Sequence, residues 1–141
     1  MTASKDVAAR FFGKLCDGDF MGGFESLSED ATWTIIGDTV LSRKYTKAQL
    51  LTDMIPLLST FKEPAKMSVY EIIAEGERAV VVAKVVGVGP HGPYVQDPYC
   101  FVLRIRGDQV TEIVEFLDTV AVETALVGRT FAAQSQAPAA A

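Results

Sequence analysis

The spacing of hydrophobic residues changes once along the chain, from a helical period to a strand period. Apolar residues at helical spacing after Ser4 predict a first helix, with Ser4 as its N-cap. A short second helix is predicted over 20–27, although its two glycines weaken it. Residues 31–36 predict a strand. Thr46 then caps a third helix, in which Pro56 predicts a kink or an early end.

The second half of the chain alternates with a period of two. Four segments, MSVYEIIAEG, RAVVVAKVVGVG, YVQDPYCFVLRIR and QVTEIVEFLD, predict strands joined by short turns. Short turns make sequential strands antiparallel neighbours. Three helices followed by such strands indicate an α+β fold, with the helices packed on one face of the sheet. We expect one domain over residues 1–131 and a disordered tail over 132–141, where the composition is small and polar.

Two of the predicted strands are apolar on both faces. In residues 94–106 the odd-numbered set is mostly apolar, and in 110–118 the even-numbered set is apolar at Val110, Val114 and Phe116, while Ile113 and Leu117 lie on the opposite side. A sheet that is apolar on both faces must bury both. The helices cover one face, so we expect a homodimer through the other.

Composition and charge exclude several classes of partner. The chain has 141 residues, of which 49% are hydrophobic and 22% charged, as expected for one globular domain. Its formal net charge of -5 argues against binding to nucleic acid or to an anionic membrane. No segment approaches the roughly 18 apolar residues of a membrane span. We therefore expect a cytoplasmic protein.

No metal site or cofactor is expected from the residue types present. The chain has one histidine, and its two cysteines, Cys16 and Cys100, lack the spacing of metal ligands. Both cysteines are expected to be reduced, because disulfides are rare in cytosolic proteins, and to be small buried residues.

Asp118 is the leading candidate for chemistry, because it ends an apolar strand in the segment EFLD. Inside an apolar cavity it would act as a general acid or base with a raised pKa. Alternatively, it is the N-cap of the helix predicted to follow. Asp38, after Gly37, is a second catalytic candidate or a turn residue.

Asp97 and Tyr99 share strand parity with Phe101, so all three are predicted to face one cavity. Tyr99 could donate to a developing oxyanion or simply line the pocket. Asp97 could be catalytic or a solvated residue at the hairpin mouth. Lys84 is expected at the pocket, paired with a neighbouring carboxylate, or as an edge lysine. The predicted substrate-binding residues are Trp33, Phe101, Leu103, Phe116, Val114, Phe12, Met54 and Lys84.

The order of elements and three short motifs resemble the nuclear transport factor 2-like superfamily. The motifs are Asp97-Pro98-Tyr99, Gly107-Asp108 and Phe116-Leu117-Asp118, supported by ATWT at 31–34, and the resemblance covers roughly residues 5–128. The chain looks closest to the SnoaL-like polyketide cyclases and ketosteroid isomerase-like proteins. The resemblance implies a cone-shaped, curved, mainly antiparallel sheet packed against three N-terminal helices around an apolar pocket, often in a dimer.

The chain lacks catalytic residues that several enzymes of this superfamily use, which reduces the number of reactions that the resemblance supports. The Arg-x-Asp of limonene epoxide hydrolase-like enzymes is replaced by Lys84-Val85-Val86. The base and acid of ketosteroid isomerase-like enzymes fall near Ile36 and Phe101, and the histidines of scytalone dehydratase-like enzymes are absent. What the resemblance implies is a cofactor-independent isomerase, cyclase or dehydratase that acts on a hydrophobic substrate through carboxylate acid/base chemistry. The alternative is a ligand-binding or protein-association module without turnover. A carboxylate buried in the cavity would favour catalysis, and a wholly apolar cavity would favour binding.

Overall fold

The computed structural model describes residues 3–132 and contains one six-stranded sheet. Short turns join four long antiparallel strands: β3 (Glu63–Glu75), β4 (Arg78–Gly89), β5 (Gly92–Arg106) and β6 (Gln109–Phe116). Two further strands extend the sheet beyond β6, β1 (Thr32–Ile35) and β2 (Lys44–Thr46). Strand β1 pairs parallel with β6 and antiparallel with β2, which gives the order β2-β1-β6-β5-β4-β3. The mixed, mainly antiparallel α+β architecture confirms the predicted fold class.

The helices lie before, within and after the sheet sequence. They are α1 (Ser4–Cys16), α2 (Phe20–Ser26), α3 (Lys47–Gln49), α4 (Ile55–Leu58) and α5 (Thr119–Ala121), with π-helical segments π1 (Leu50–Met54) and π2 (Val122–Val127). Thr46 and Gln49 form a capping box at α3, as predicted for Thr46. Ser4 is not a cap, because the N-cap position belongs to Ala3. Pro56 lies in the first turn of α4, where its missing N–H costs little, so the helical segment restarts there after π1.

Helix α1 and the inner face of the sheet form the main core. Aromatic rings meet across this layer, with Phe12 and Phe101 centroids 4.9 Å apart and Phe11 and Trp33 centroids 6.2 Å apart. The apolar stripe of α1 is fully buried at Phe12 and nearly so at Leu15. Burial of such large side chains contributes about 1.5–3 kcal/mol each and fixes the helix on the sheet.

A bulge in β5 reverses the orientation of its side chains. Ala83 pairs with Tyr99 and Val85 pairs with Gln96, so Asp97 and Pro98 together face the single residue Lys84. Before the bulge, even-numbered residues point into the core. After it, odd-numbered residues do, because one extra residue changes the parity.

Two adjacent rows of apolar residues cross the outer face of the sheet, which also carries charged side chains. Ile73, Val80, Val102 and Val114 lie side by side across β3, β4, β5 and β6. The next row contains Val82, Cys100 and Phe116, and Phe116 is 42% exposed.

The C-terminal segment packs on the hairpin between β4 and β5. The N–H of His91 donates to the carbonyl of Ala125 at 3.0 Å, and π2 ends at Gly128, whose φ of 84° is left-handed. Gly89 approaches the same carbonyl so closely that a Cβ there would lie 2.7 Å from it. The tail predicted over 132–141 lies, except for residue 132, outside the described residues. Within residues 3–132, no helix has the length and apolar character needed to cross a membrane.

Candidate active site

The helices and the inner face of the sheet enclose a cavity of about 90 Å³. Its helical wall comes from α1, α2, π1, α4 and π2, and its floor from β1, β3, β4, β5 and β6. Almost all of the lining is apolar. Among the described residues that line it, Glu115 alone carries a charge, and its aromatic neighbours Trp33, Tyr94 and Tyr99 supply the other polar atoms. The remaining lining residues are Leu15, Phe20, Phe24, Ile35, Leu41, Leu50, Met54, Leu57, Leu58, Phe61, Ala65, Met67, Val85, Leu117, Val122 and Leu126.

Glu115 sits near the end of β6, between β1 and β5. Strand registers place Ile35 beside it on one side and Phe101 on the other, so Trp33 and Tyr99 are its diagonal neighbours. The indole Nε1 of Trp33 donates to Glu115 Oε1 at 2.7 Å, and the Tyr99 hydroxyl donates to Oε2. Both bonds are buried, and Glu115 is only 6% exposed.

Tyr94 and Gln96 extend this polar cluster along β5. Gln96 Nε2 donates to the Tyr94 hydroxyl at 3.1 Å and to the backbone carbonyl of Asp118 at 2.9 Å. Gln96 Oε1 accepts from the N–H of Asp118 at 2.7 Å. Because the Tyr94 oxygen accepts from Gln96, the Tyr94 proton is available for donation to another group. Gln96 thus links the backbone of Asp118, just after β6, to the Tyr94 hydroxyl in the cavity wall through hydrogen bonds.

Burial controls the proton affinities in the cluster. Desolvation raises the pKa of Glu115, and hydrogen bonds from Tyr99 and Trp33 partly oppose the rise. Desolvation and the negative charge of Glu115 raise the pKa of both Tyr94 and Tyr99. The two tyrosines are therefore neutral hydrogen-bond donors near pH 7, next to a carboxyl whose pKa moves toward neutrality.

This geometry can support proton transfer. An ionised carboxylate offers about four acceptor positions, and Trp33 and Tyr99 occupy one on each oxygen of Glu115. Each oxygen of Glu115 therefore keeps a free acceptor position that can take a proton from a ligand. A general acid or base works best when its pKa lies near the working pH, and burial moves Glu115 in that direction.

Three of the residues predicted for the site lie in the cavity wall. Trp33, Met54 and Tyr99 line it on the sheet and helix sides. Their contact with a ligand stays a prediction.

The prediction that Asp118 lies inside the cavity is wrong. Asp118 is exposed, and its Oδ1 accepts from the N–H groups of Val120 at 2.9 Å and Ala121 at 3.4 Å. It is the N-cap of α5, which was the structural alternative. The strand ends at Phe116, so Asp118 no longer follows the alternation that placed it inward.

Asp97 and Lys84 also lie outside the cavity, on the outer face of the sheet. The bulge separates Asp97 from the inward parity of Tyr99. Asp97 Oδ1 accepts from the Tyr70 hydroxyl at 2.8 Å, and its Oδ2 lies 3.9 Å from Lys84 Nζ. The predicted pairing of Lys84 with Asp97 occurs, but both side chains are about 40% exposed, where such pairs contribute little.

The other predicted positions divide between the core and the surface. Asp38 is exposed in the loop after β1, away from the cavity. Phe12, Phe101 and Leu103 are fully buried in the core but do not line the cavity, because neighbouring side chains cover them. From Glu112 onward the even-numbered residues of β6 point outward, so the prediction of Val114 and Phe116 as pocket lining is also wrong.

Sequence reasoning missed Glu115, although a signal was present. Ile113 and Leu117 mark the inward parity of β6, and Glu115 lies between them on that parity. A single acid on an otherwise apolar strand face is rarely buried without a partner. The partner, Trp33, comes from a strand 82 residues away in the chain.

No cluster of three or more His, Cys, Asp or Glu side chains with the arrangement of a metal site occurs in residues 3–132. Cys16 and Cys100 are both free thiols and half-buried. Burial and the nearby charge of Asp17 raise the pKa of Cys16, which makes it less reactive.

No protein-family model matches the chain, and no curated protein resembles it closely enough to count as a match. Solved structures match over most of its length. An NTF2-like protein from Burkholderia xenovorans LB400 is 25% identical, with a TM-score of 0.69 and coverage of 89% of this chain and 98% of that one. A candidate SnoaL-like polyketide cyclase from Shewanella putrefaciens CN-32 is 16% identical, with a TM-score of 0.66 and coverage of 92% and 88%. TerC, co-crystallised with polyporic acid, is 16% identical, with a TM-score of 0.74 and coverage of 89% and 99%.

The sheet order, the helical layer and the enclosed cavity define a class of small α+β domains that hold a ligand between helices and sheet. Within that class, the chain has the nuclear transport factor 2-like fold, which confirms the resemblance seen in the sequence.

Proposed function

We propose that the protein binds a hydrophobic small molecule and transfers a proton on it, with Glu115 as the general acid/base. The supporting observation is the buried carboxylate of Glu115, held by Trp33 and Tyr99 in a cavity whose other walls are apolar. A few convergent polar groups in an apolar pocket are typical of ligand sites. The buried carboxylate also meets the criterion that favours catalysis over simple binding.

In this mechanism, Glu115 removes a proton from a carbon next to a carbonyl group of the ligand. The electron pair of the broken C–H bond moves toward the carbonyl oxygen, and the Tyr94 hydroxyl donates to that oxygen as negative charge develops. Glu115 then returns the proton, either to the same carbon or to another position of the enolate. Return of the proton to another position is isomerase chemistry. Attack of the enolate carbon on a second carbonyl of the ligand, whose oxygen takes up the proton, is cyclase chemistry. Loss of a β-hydroxyl group, which leaves as water with the proton from Glu115, is dehydratase chemistry.

Hydrogen-deuterium exchange on a simple ketone tests this proposal without knowledge of the natural ligand. Cyclohexanone in D₂O is the probe, and proton NMR follows the loss of its α-hydrogen signal. We expect the wild-type protein to accelerate exchange and Glu115→Gln to lower that acceleration by at least roughly a hundredfold. Glu112→Gln is the matched control, because it makes the same change on the outward parity of the same strand.

Equal exchange by the wild-type protein and Glu115→Gln would contradict the catalytic role. Binding of cyclohexanone without any exchange would instead favour the alternative, a ligand-binding module without turnover.

The proposal extends to a homodimer through the outer face of the sheet. Rows of apolar side chains cross β3 to β6 there, including Val102 and the 42% exposed Phe116. Contiguous exposed apolar surface of this kind marks interaction sites. Lys84 and Asp97 put one positive and one negative side chain on this face. The same face of a second copy can therefore match it in charge. Light scattering at micromolar concentration measures the mass, and a monomer mass would contradict the proposal.

A further inference from the structure

A second space lies beside the cavity and has a different character. It is a groove of about 300 Å³, open toward solvent, between the turn that precedes α2 and the end of α4. Residues found only in the groove include Asp19, Met21, Ile55 and Ser59. The groove is therefore wider than the inner cavity, which has about 90 Å³.

Three side chains line both spaces and separate them: Phe20, Leu58 and Ala65. None of the three is fully buried, and all are apolar. The inner cavity and the groove thus share one apolar partition, and a chain that crossed it would meet no charged group there.

The partition includes a weakly stabilised helix. Phe20 is the first residue of α2, a helix of seven residues that contains Gly22 and Gly23. Each glycine costs a helix about 1 kcal/mol relative to alanine, so α2 depends on its packing for stability. Phe20 packs against the core, and its ring centroid lies 6.5 Å from that of Phe24.

We infer that the natural ligand has two parts, a compact oxygen-bearing head and an apolar tail. The head occupies the inner cavity with its oxygen at Glu115 and Tyr94, and the tail crosses between Phe20, Leu58 and Ala65 into the groove. The inner cavity is smaller than the roughly 300–1,000 Å³ typical of ligand pockets, so it suits one ring and not a polycyclic body. This inference rests on the proposed function, because it takes the Glu115 cluster as the anchor of the head.

A series of 4-alkylphenols, from 4-methylphenol to 4-hexylphenol, tests the inference by isothermal titration calorimetry. Each methylene buried against apolar surface strengthens binding by about fourfold. We expect affinity for the wild-type protein to rise by about that factor with each added carbon across the series. In Ala65→Phe the added ring fills the partition, so we expect the rise in affinity with chain length to stop.

Two further variants keep the test informative if Ala65→Phe folds poorly. Ala74→Phe makes the same change at an exposed site on the same strand and should leave the whole series unaltered. Met21→Glu places a charge in the groove alone. It should lower the affinity for 4-hexylphenol at least about tenfold and leave the affinity for 4-methylphenol unchanged.

The possible failures are distinguishable. If 4-methylphenol binds but affinity is flat with chain length, or if Ala65→Phe and Met21→Glu both bind the long phenols like wild type, the two-part ligand is refuted and the head site stands. If 4-methylphenol does not bind the wild-type protein at all, the proposed head site fails and the inference fails with it.

Discussion

Replacing Glu115 by glutamine removes the charge of this side chain but keeps its shape and its two hydrogen bonds. The amide oxygen can still accept from Trp33, and the amide nitrogen can donate to the Tyr99 oxygen. The difference in stability between wild type and Glu115→Gln therefore reports mainly the cost of a buried carboxylate. We predict that this difference depends on pH.

The direction of this pH dependence follows from the direction in which the pKa of Glu115 is shifted. Burial raises the pKa of Glu115 in the folded state above its unfolded value of about 4.3, so the folded protein binds this proton more tightly. The stability contributed by Glu115 is fully present below the unfolded pKa and is lost as pH rises through the folded pKa. Wild type should lose stability relative to Glu115→Gln across that window, with a slope of at most about 1.4 kcal/mol per pH unit.

Urea denaturation of both proteins at several pH values between about 4 and 8 measures the difference directly. Other titrating groups act equally in both proteins and cancel in the comparison. Glu112→Gln makes the same chemical change on the outward parity of β6 and is the matched control. A flat difference between wild type and Glu115→Gln would refute the reasoning, because it would mean that Glu115 titrates like a solvated carboxyl.

A companion variant separates hydrogen bonding from charge. Glu115→Leu leaves the Trp33 N–H and the Tyr99 hydroxyl buried without their acceptor. Each such group costs about 1–3 kcal/mol, so this variant should be clearly less stable than Glu115→Gln at every pH. Equal stability of the two would indicate that water satisfies both donors.

Three further outcomes are expected. Asp118→Asn should keep full stability and exchange activity, whereas Asp118→Ala should lose about 1 kcal/mol in urea denaturation, since asparagine caps helices and alanine does not. Phe116→Glu should convert the proposed dimer to a folded monomer by light scattering, while Val40→Glu, at another exposed apolar residue, should not. Gly89→Ala should cost about 1–3 kcal/mol, because its Cβ would meet the carbonyl of Ala125 at 2.7 Å; an unchanged urea midpoint would contradict that contact.

The sequence predicted the long elements well because their periods are local properties. Alternation over 67–76, 78–89, 94–106 and 109–118 was sufficient to identify the four long strands, and Thr46 was predicted as a helix cap from its residue type and position. The short strand Lys44–Thr46 was missed, since three residues carry no measurable period and pair only through β1.

The candidate site was harder to predict because it depends on register. Asp97 and Tyr99 share parity in the sequence, but the bulge sends them to opposite faces. Asp118 was extrapolated past the end of β6, and Glu115 was overlooked although it shares the inward parity of Ile113. Its burial with Trp33 requires the parallel pairing of β1 and β6, which local spacing does not encode.

Because of the bulge at Asp97 and Pro98, an insertion or deletion in β5 would change which side chains face the cavity. Tyr94 and Tyr99 are five residues apart, an odd separation that would place them on opposite faces of an uninterrupted strand. Both line the cavity only because one extra residue lies between them. Loss of a single codon in this segment would therefore remove one hydroxyl from the cavity and turn another side chain inward. Insertions and deletions, and not substitutions alone, are an available route by which relatives of this domain could acquire different polar groups around the same carboxylate.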